Sequence, residues 1–460
     1  FFIPSFSAER CLFMSSRIDF SSGSVPRALI HFALPVMFAL FLQAMYGTVD
    51  LLIVGQFASS TDVSAVATGS QIMQTVTNLI SSLATGTTVL LGQKIGQKKP
   101  SEGGKIAGAS LILFALIGIA FSLLLTLGAA PLSRAMNAPE AAFLKTVHYL
   151  SICGGGALIM IFYNLIGGLF RGMGDSRTPF IAVAIACVSN IVLDLLMVAV
   201  FSFGAAGAAL ATVLSQAISV LVSYHLISNR PLPFAMTRAH VTFHKETIKR
   251  ILSLGIPLAV QDLFVGLSFL IILAIANSLG VNASAGVGVS EKICGFIMLV
   301  SAAFMQSMAA FTAQNKGAGR MDRAIKGLQC AMGLSCGCGL IMGFFTFFHG
   351  DILAGLFTSS PSVMAAAADY LKAYAFDAFL TSFLFCFIGF YNGLGLTSFV
   401  MAQGILGSFG VRVPLSYLLS QFQPVSLFHI GLATPCSTLI QIVLCLGCWS
   451  LLKKHHPHLQ

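Results

Sequence analysis

The chain has 460 residues, of which 57% are hydrophobic and only 9% charged, with a formal net charge of +10 and a mean hydropathy of +0.90. Soluble globular chains carry about 25% charged residues, so a soluble enzyme with a large core is excluded. The long apolar runs lack two-residue alternation, which excludes an outer-membrane barrel and leaves an all-α polytopic membrane protein.

Residues 1–27 are polar with scattered arginines and are expected to form a cytoplasmic N-terminal segment. The sequence opens on Phe1, Met14 is a natural start, and residues 1–13 read as upstream translation or a fragment end without a signal-peptide pattern. Twelve apolar segments follow, near 28–54, 64–90, 106–128, 146–169, 178–200, 206–228, 249–277, 286–312, 325–348, 368–391, 398–420 and 429–452. Roughly 20 apolar residues at 1.5 Å each cross a ~30 Å hydrocarbon core. The polar break with Pro231 and Pro233 reads as a linker, 229–248, between a six-helix lobe at 28–228 and another at 249–452. Residues 453–460 form a tail whose His455, His456 and His458 read as solvated rather than metal-binding.

The positions of the basic residues matter more than their sum. Twenty of the 25 Lys and Arg fall in alternate polar segments, and the others are Arg134, Lys145, Lys292, Lys372 and Arg412. That alternation is the positive-inside pattern, which places both termini in the cytoplasm and argues against nucleic-acid binding. Cys336 with Cys338 and Cys445 with Cys448 have metal-like spacing but lie in apolar segments, where Cys is a small apolar residue.

The two halves repeat. Leu34-Pro35 matches Ile256-Pro257 at an offset of 222. Gln93-Lys94-Ile95-Gly96 matches Gln314-Asn315-Lys316-Gly317, and the Gly168–Gly174 stretch matches Gly389–Gly395, both at 221. Gly207 and Gly431 follow at 224. Two copies of six spans share orientation and form bundles related by a pseudo-two-fold axis along the membrane normal, an arrangement used by secondary transporters. The Gly168–Pro179 stretch lacks the GxxxxGK[ST] pattern and reads as a tight turn with Arg171 and Asp175 paired, so no ATP site is expected.

Asn190 and Asp194 lie one turn apart in segment five, and Tyr46 precedes Asp50 by the same interval in segment one. A carboxylate in a membrane helix is kept where it has a partner or titrates. Asn190 and Asp194 therefore bind a cation or proton, or else bond a neighbouring helix. Two nearby carboxylates in low dielectric do not both stay ionised without a cation, so Asp50 and Asp194 together could take up H⁺ or Na⁺. Neutral oxygens such as those of Asn190 and Thr212 are what a hard cation adds to that need. Asp262 and Glu291 could pair with Lys292 or Arg412, or contact a ligand. Asp377 reads as an interfacial acid near a helix end, and Met160, Phe162 and Met197 as possible linings of a pocket for flat cations.

These features together resemble the multidrug and toxic-compound extrusion (MATE) family from about Ala28 to Leu452. The resemblance rests on Val49-Asp50 with Val54-Gly55, Gly92-Gln93 with Gly96, Arg171-Gly172-Met173-Gly174-Asp175-Ser176-Arg177-Thr178-Pro179, Asn190 with Asp194, and Ala211-Thr212. Arg412-Val413-Pro414 resembles the bacterial DinF-like branch. The resemblance implies twelve transmembrane helices and efflux of small cationic or amphipathic drugs by alternating access, driven by inward H⁺ or Na⁺ without another cofactor. It implies a coupling site, with possible Na⁺ binding, at Asp50, Asn190, Asp194 and Thr212, and pocket positions at Tyr46, Asn164 and Gln43. Some members carry acids in the second lobe, which here are Asp262, Glu291 and Asp377; Asp377 stands about one turn from the expected position, and Asp262 follows Gln261 where Glu is common. The family implies a multi-pass protein of the bacterial inner membrane, acting as a monomer in the lipid bilayer and contributing to antibiotic resistance. The alternative within the wider superfamily is a flippase for a lipid-linked sugar or cell-wall precursor, which would need a cationic cavity rather than the acidic residues found here.

Overall fold

The computed structural model describes residues 18–228, 232–234 and 236–455. Most of the N-terminal segment 1–17, parts of the linker (229–231 and 235) and the end of the tail, including His456 and His458, lie outside the described residues. The chain divides into two compact units, Phe1–Leu252 and Ser253–Gln460.

In the first unit, α1 (Val25–Phe57) leads through a two-residue connection to α2 (Ser60–Gly96), followed by α3 (Pro100–Leu127) and the short α4 (Ala129–Ala135). Then come α5 (Glu140–Gly155) and α6 (Ala157–Gly172), which meet at a 53° bend. Gly156 forms that bend, and a side chain there would run into Val213. Next, α7 (Arg177–Asp194) passes directly into a π-helical turn, Leu195–Val200, and α8 (Gly204–Ser228) closes the bundle. The core of this unit joins Ile53 and Val54 of α1, Ala65 and Val66 of α2, Tyr149, Leu150 and Cys153 of α5, and Ala205, Ala208 and Ala209 of α8. Small residues in α8 let neighbouring backbones approach closely, which is how helices associate where lipid removes the hydrophobic drive.

In the second unit, α9 (Lys245–Ser278) is followed by α10 (Val281–Ile297) and α11 (Leu299–Gly317), bent at 44°. After α12 (Met321–Gly355) comes α13 (Pro361–Leu394). Then α14 (Thr397–Ile405), a π turn (Leu406–Arg412) and α15 (Val413–Ser420) run on, before α16 (Leu427–Gly431) and α17 (Ala433–His455). The central element is α13, with 72% of its most apolar window buried, against 28% for α12. The repeat is visible in the backbone: Gly174 and Gly395 both turn the chain in the left-handed region, at φ 80° and 79°.

Among the described residues, nine helices are long and apolar enough to span a bilayer, or eleven if each bent pair is one span. The twelfth expected span is α2, a 37-residue helix that is long enough but polar. Its sequence contains 16 Ser, Thr, Asn, Gln and Asp residues from Ser60 to Thr88, and the buried ones include Ser82, Thr87 and Thr88. Thr88 donates to Gly168 O at 2.8 Å, and Thr87 and Ser110 hydroxyls lie 3.2 Å apart.

Candidate functional site

In the first unit α1, α7 and α8 bring Asp50, Asn190, Asp194 and Thr212 together. Their exposures are 5%, 0%, 0% and 6%. Thr212 donates its hydroxyl to Ala208 O at 2.9 Å and lies 3.4 Å from Asp50 Oδ2. Asp50, Asn190 and Asp194 face one another closely enough to interact. Yet among the described residues no hydrogen bond of normal length and angle reaches Asp50 Oδ1, either side-chain polar atom of Asn190 or either carboxylate oxygen of Asp194, all of which are buried. Buried polar groups are nearly always satisfied, so five such atoms in one cluster mark it apart from a structural network. Tyr46 borders the cluster, with its hydroxyl 3.5 Å from Thr212 O and 3.3 Å from Ser215 Oγ. Asp194 is the last α-helical residue before the π turn, a form that recurs at functional sites.

The other predicted residues of this unit fall elsewhere. Gln43 donates to the Tyr163 hydroxyl at 3.3 Å, in a patch that also holds Arg171. Asn164 spends its amide on Met160 O of its own helix at 2.9 Å. Asp175 accepts from Arg177 N and Thr178 N, both at 3.0 Å, and from Thr178 Oγ1 at 2.6 Å. It therefore caps α7, where the sequence suggests a partner for Arg171.

In the second unit Asp377 is 1% exposed and stands midway along α13, not near a helix end. The apolar pattern from 368 hides the first turns of α13, which begins at Pro361. Asp377 accepts from Thr438 at 2.6 Å and Thr381 at 3.0 Å. Arg412 lies within electrostatic reach of Asp377. It donates to Ser268 at 3.2 Å, and its guanidinium carbon sits 4.5 Å from the Phe269 ring centre. Glu291 is half-buried with Oε1 unbonded, and among the described residues it makes no ion pair with Lys292 or Arg412. Asp262 is exposed within this unit, while its neighbour Gln261 is buried.

A family model described as MatE matches this chain twice, over residues 35–196 and 257–418. The chain belongs to the MATE family. Its two MATE repeats begin and end 222 residues apart, the offset at which Leu34-Pro35 meets Ile256-Pro257. The probable multidrug resistance protein YpnP of Bacillus subtilis is 28% identical over 403 residues, covering 87% of this chain and 90% of YpnP. The multidrug export protein MepA of Staphylococcus aureus is 23% identical over 413 residues, covering 87% and 88%. A crystal structure of a MATE protein in complex with MaL6 superposes with a TM-score of 0.89 at 22% identity, covering 95% of this chain and 98% of that one. A MOP superfamily transporter from Pyrococcus furiosus, with a binding pocket described as reversed in polarity, superposes equally well at 21% identity. These likenesses show the shared MATE fold.

Several residues of this MATE chain escape a sequence reading. Tyr149, buried on α5, lies within electrostatic reach of Asp50, Tyr46 and Asp194. Ser215 and Gln216 flank Tyr46 from α8. Further along the first unit, Lys145 closes a clasp. It donates to Asp62 Oδ2 at 2.7 Å, Ser59 at 2.9 Å and Thr61 at 3.0 Å, while Asp62 Oδ1 accepts from Ala205 N at 3.1 Å. Asp62 stands in the capping turn before the apolar stretch 64–90. Partial burial works against its charge, but Lys145, Ser59 and the Ala205 N–H outweigh that and hold its carboxyl down at about 2. Lys145 is legible as a basic residue outside the alternating pattern; its partners are not, because they come from α2 and α8.

Proposed function

We propose that this chain exports small organic cations or amphipathic drugs by alternating access, coupled to inward flow of H⁺ or Na⁺ through the first unit. The names of YpnP and MepA support the drug cargo. The observation that carries the coupling site is the set of five unbonded polar atoms on Asp50, Asn190 and Asp194. Among the described residues neither carboxylate has a Lys or Arg partner, which favours charge balance by an ion from outside the chain. Protonation of one carboxylate meets that need. A Na⁺ meets it as well, since two carboxylates, the Asn190 carbonyl and the Thr212 hydroxyl are all hard oxygen donors. Binding or loss of the ion changes the net charge held between α1, α7 and α8. That change supplies the differential free energy by which an ion biases one arrangement of these helices over another.

The test is uptake of an ethidium-like cation into everted vesicles, with Na⁺ and H⁺ gradients imposed separately. The wild type is expected to accumulate dye under at least one gradient, and Asp50→Asn and Asp194→Asn to fall to the level of empty vesicles. Absence of ion-driven uptake in the wild type overturns the export reading, and normal uptake by Asp194→Asn under both gradients overturns the site.

A further inference from the structure

At the start of α1 a cavity of about 290 Å³ lies between the residues leading into that helix and the first turn of α7. Three exposed basic side chains line it: Arg27 and His31 of α1, and Arg177 of α7. Arg177 Nη2 lies 3.5 Å from His31 Nδ1. Among the described residues Arg27 has no hydrogen bond or ion pair. The wall contains, among the described residues, a single acid, Asp19, which accepts from Ser21 and Ser22 at 2.6–2.8 Å. Ser24 at the head of α1 makes no side-chain cap, and the first turn contains no acid. The positive end of the helix dipole is therefore uncompensated there. Two guanidiniums and an imidazole around one cavity suit a phosphate oxygen cluster, which Arg binds with paired N–H donors.

The surface leading away from the cavity is apolar. Ile30, Leu34 and Phe38 are 38%, 45% and 50% exposed and recur every four residues along α1, so they form one stripe. Phe180 of α7 continues it, with its ring centre 6.2 Å from that of Phe38. At 33 residues, α1 measures about 50 Å, longer than a ~30 Å hydrocarbon core. The apolar run of α1 starts at residue 28, directly after Arg27, which sets the turn holding Arg27 at headgroup depth and the stripe against acyl chains. We infer that this cavity binds the phosphate of an anionic phospholipid, with Arg27, His31 and Arg177 around the headgroup and an acyl chain along Ile30, Leu34 and Phe38. A soluble phosphate has the same head chemistry but no use for the stripe.

The experiment is native mass spectrometry of the full chain in detergent with equimolar phosphatidylglycerol and phosphatidylcholine. Each basic residue near a membrane surface favours anionic lipid by roughly fivefold, so Arg27→Gln/Arg177→Gln is expected to lose on the order of 30-fold in phosphatidylglycerol preference. Arg27→Lys/Arg177→Lys keeps the charge but not the paired donors and is expected to lose less than Arg27→Gln/Arg177→Gln. Lys453→Gln/Lys454→Gln removes equal charge elsewhere and is expected to change nothing. Equal loss in the two Gln variants overturns the site, as does unchanged preference in Arg27→Gln/Arg177→Gln. If inorganic phosphate alone raises the melting temperature of the wild type as much as phosphatidylglycerol does, and does so only with Arg27 and Arg177 present, the lipid assignment is overturned in favour of a soluble anion.

Discussion

Asp194 in the first unit and Asp377 in the second are both buried on spanning helices, yet their surroundings differ in kind. Among the described residues no hydrogen bond of normal length and angle reaches either oxygen of Asp194, whereas Asp377 accepts one on each, from Thr438 and Thr381. The repeat offset explains part of the contrast. The position 222 residues after Asn190 is Arg412. Where the first unit offers a neutral amide, the second supplies a fixed guanidinium, held by Ser268 and stacked on Phe269. The second repeat sets a fixed cation near its acid; the first, among the described residues, sets a neutral amide there. A duplicated scaffold can in this way keep its packing while the two copies compensate a buried acid differently.

Removing the fixed cation is the harshest way to break this contrast. Arg412→Met leaves a buried carboxylate without its nearby charge and is expected to cost about 3 kcal/mol in thermal unfolding. Asp377→Asn in the same background is expected to recover much of that loss. If Arg412→Met costs no more than Asn190→Ala, the two units do not differ as described. Thr438→Val removes a 2.6 Å bond to a carboxylate and is expected to cost roughly 2 kcal/mol. Thr212→Val, whose contact to Asp50 is a long 3.4 Å, is expected to cost much less on the same assay. Asp194→Asn is expected to move stability the other way, raising it by about 1 kcal/mol, because it swaps an unsatisfied buried acid for a neutral amide; a marked loss would show that Asp194 is structural. The smallest effect belongs to the Asp62–Lys145 clasp. Asp62 has a folded pKa below its unfolded value. Its stabilisation is present above pH ~4 and is lost as pH falls toward about 2. Lys145 is 41% exposed, so solvent screening keeps this at ~1 kcal/mol or less. The melting temperatures of wild type and Lys145→Gln are expected to differ at pH 5 and to approach each other by pH 2.5.

The doubled architecture was legible because its markers are backbone requirements. Pro35 with Pro257 and Gly174 with Gly395 are constrained wherever the same turn or bend recurs. Asp50, Asn190, Asp194 and Thr212 were legible because a polar residue in a long apolar run has few explanations. Gln43 and Asn164 drew apart from that cluster because they face other neighbours, Tyr163 and the Met160 carbonyl. The depth of Asp377 was hidden by the polar start of α13, and the role of Arg412 by the distance in sequence to Ser268 and Phe269. The clasp needed Ser59, Lys145 and Ala205 to meet in space, and no spacing rule connects them.

The polarity of α2 has a consequence for biosynthesis. Its hydroxyls and amides make it a poor span by itself, since each polar group entering lipid unpaired carries a cost that apolar neighbours in the same helix must offset. Thr88 finds its acceptor on Gly168, some eighty residues downstream, and Thr87 meets Ser110 on α3. Within α2 itself Thr75, Thr85 and Thr88 donate to Gln71 O, Ser81 O and Ala84 O, which lowers the cost of the isolated helix, while Thr87 and the second bond of Thr88 wait for α3 and α6. Insertion of α2 is therefore expected to become more secure once those later helices are made.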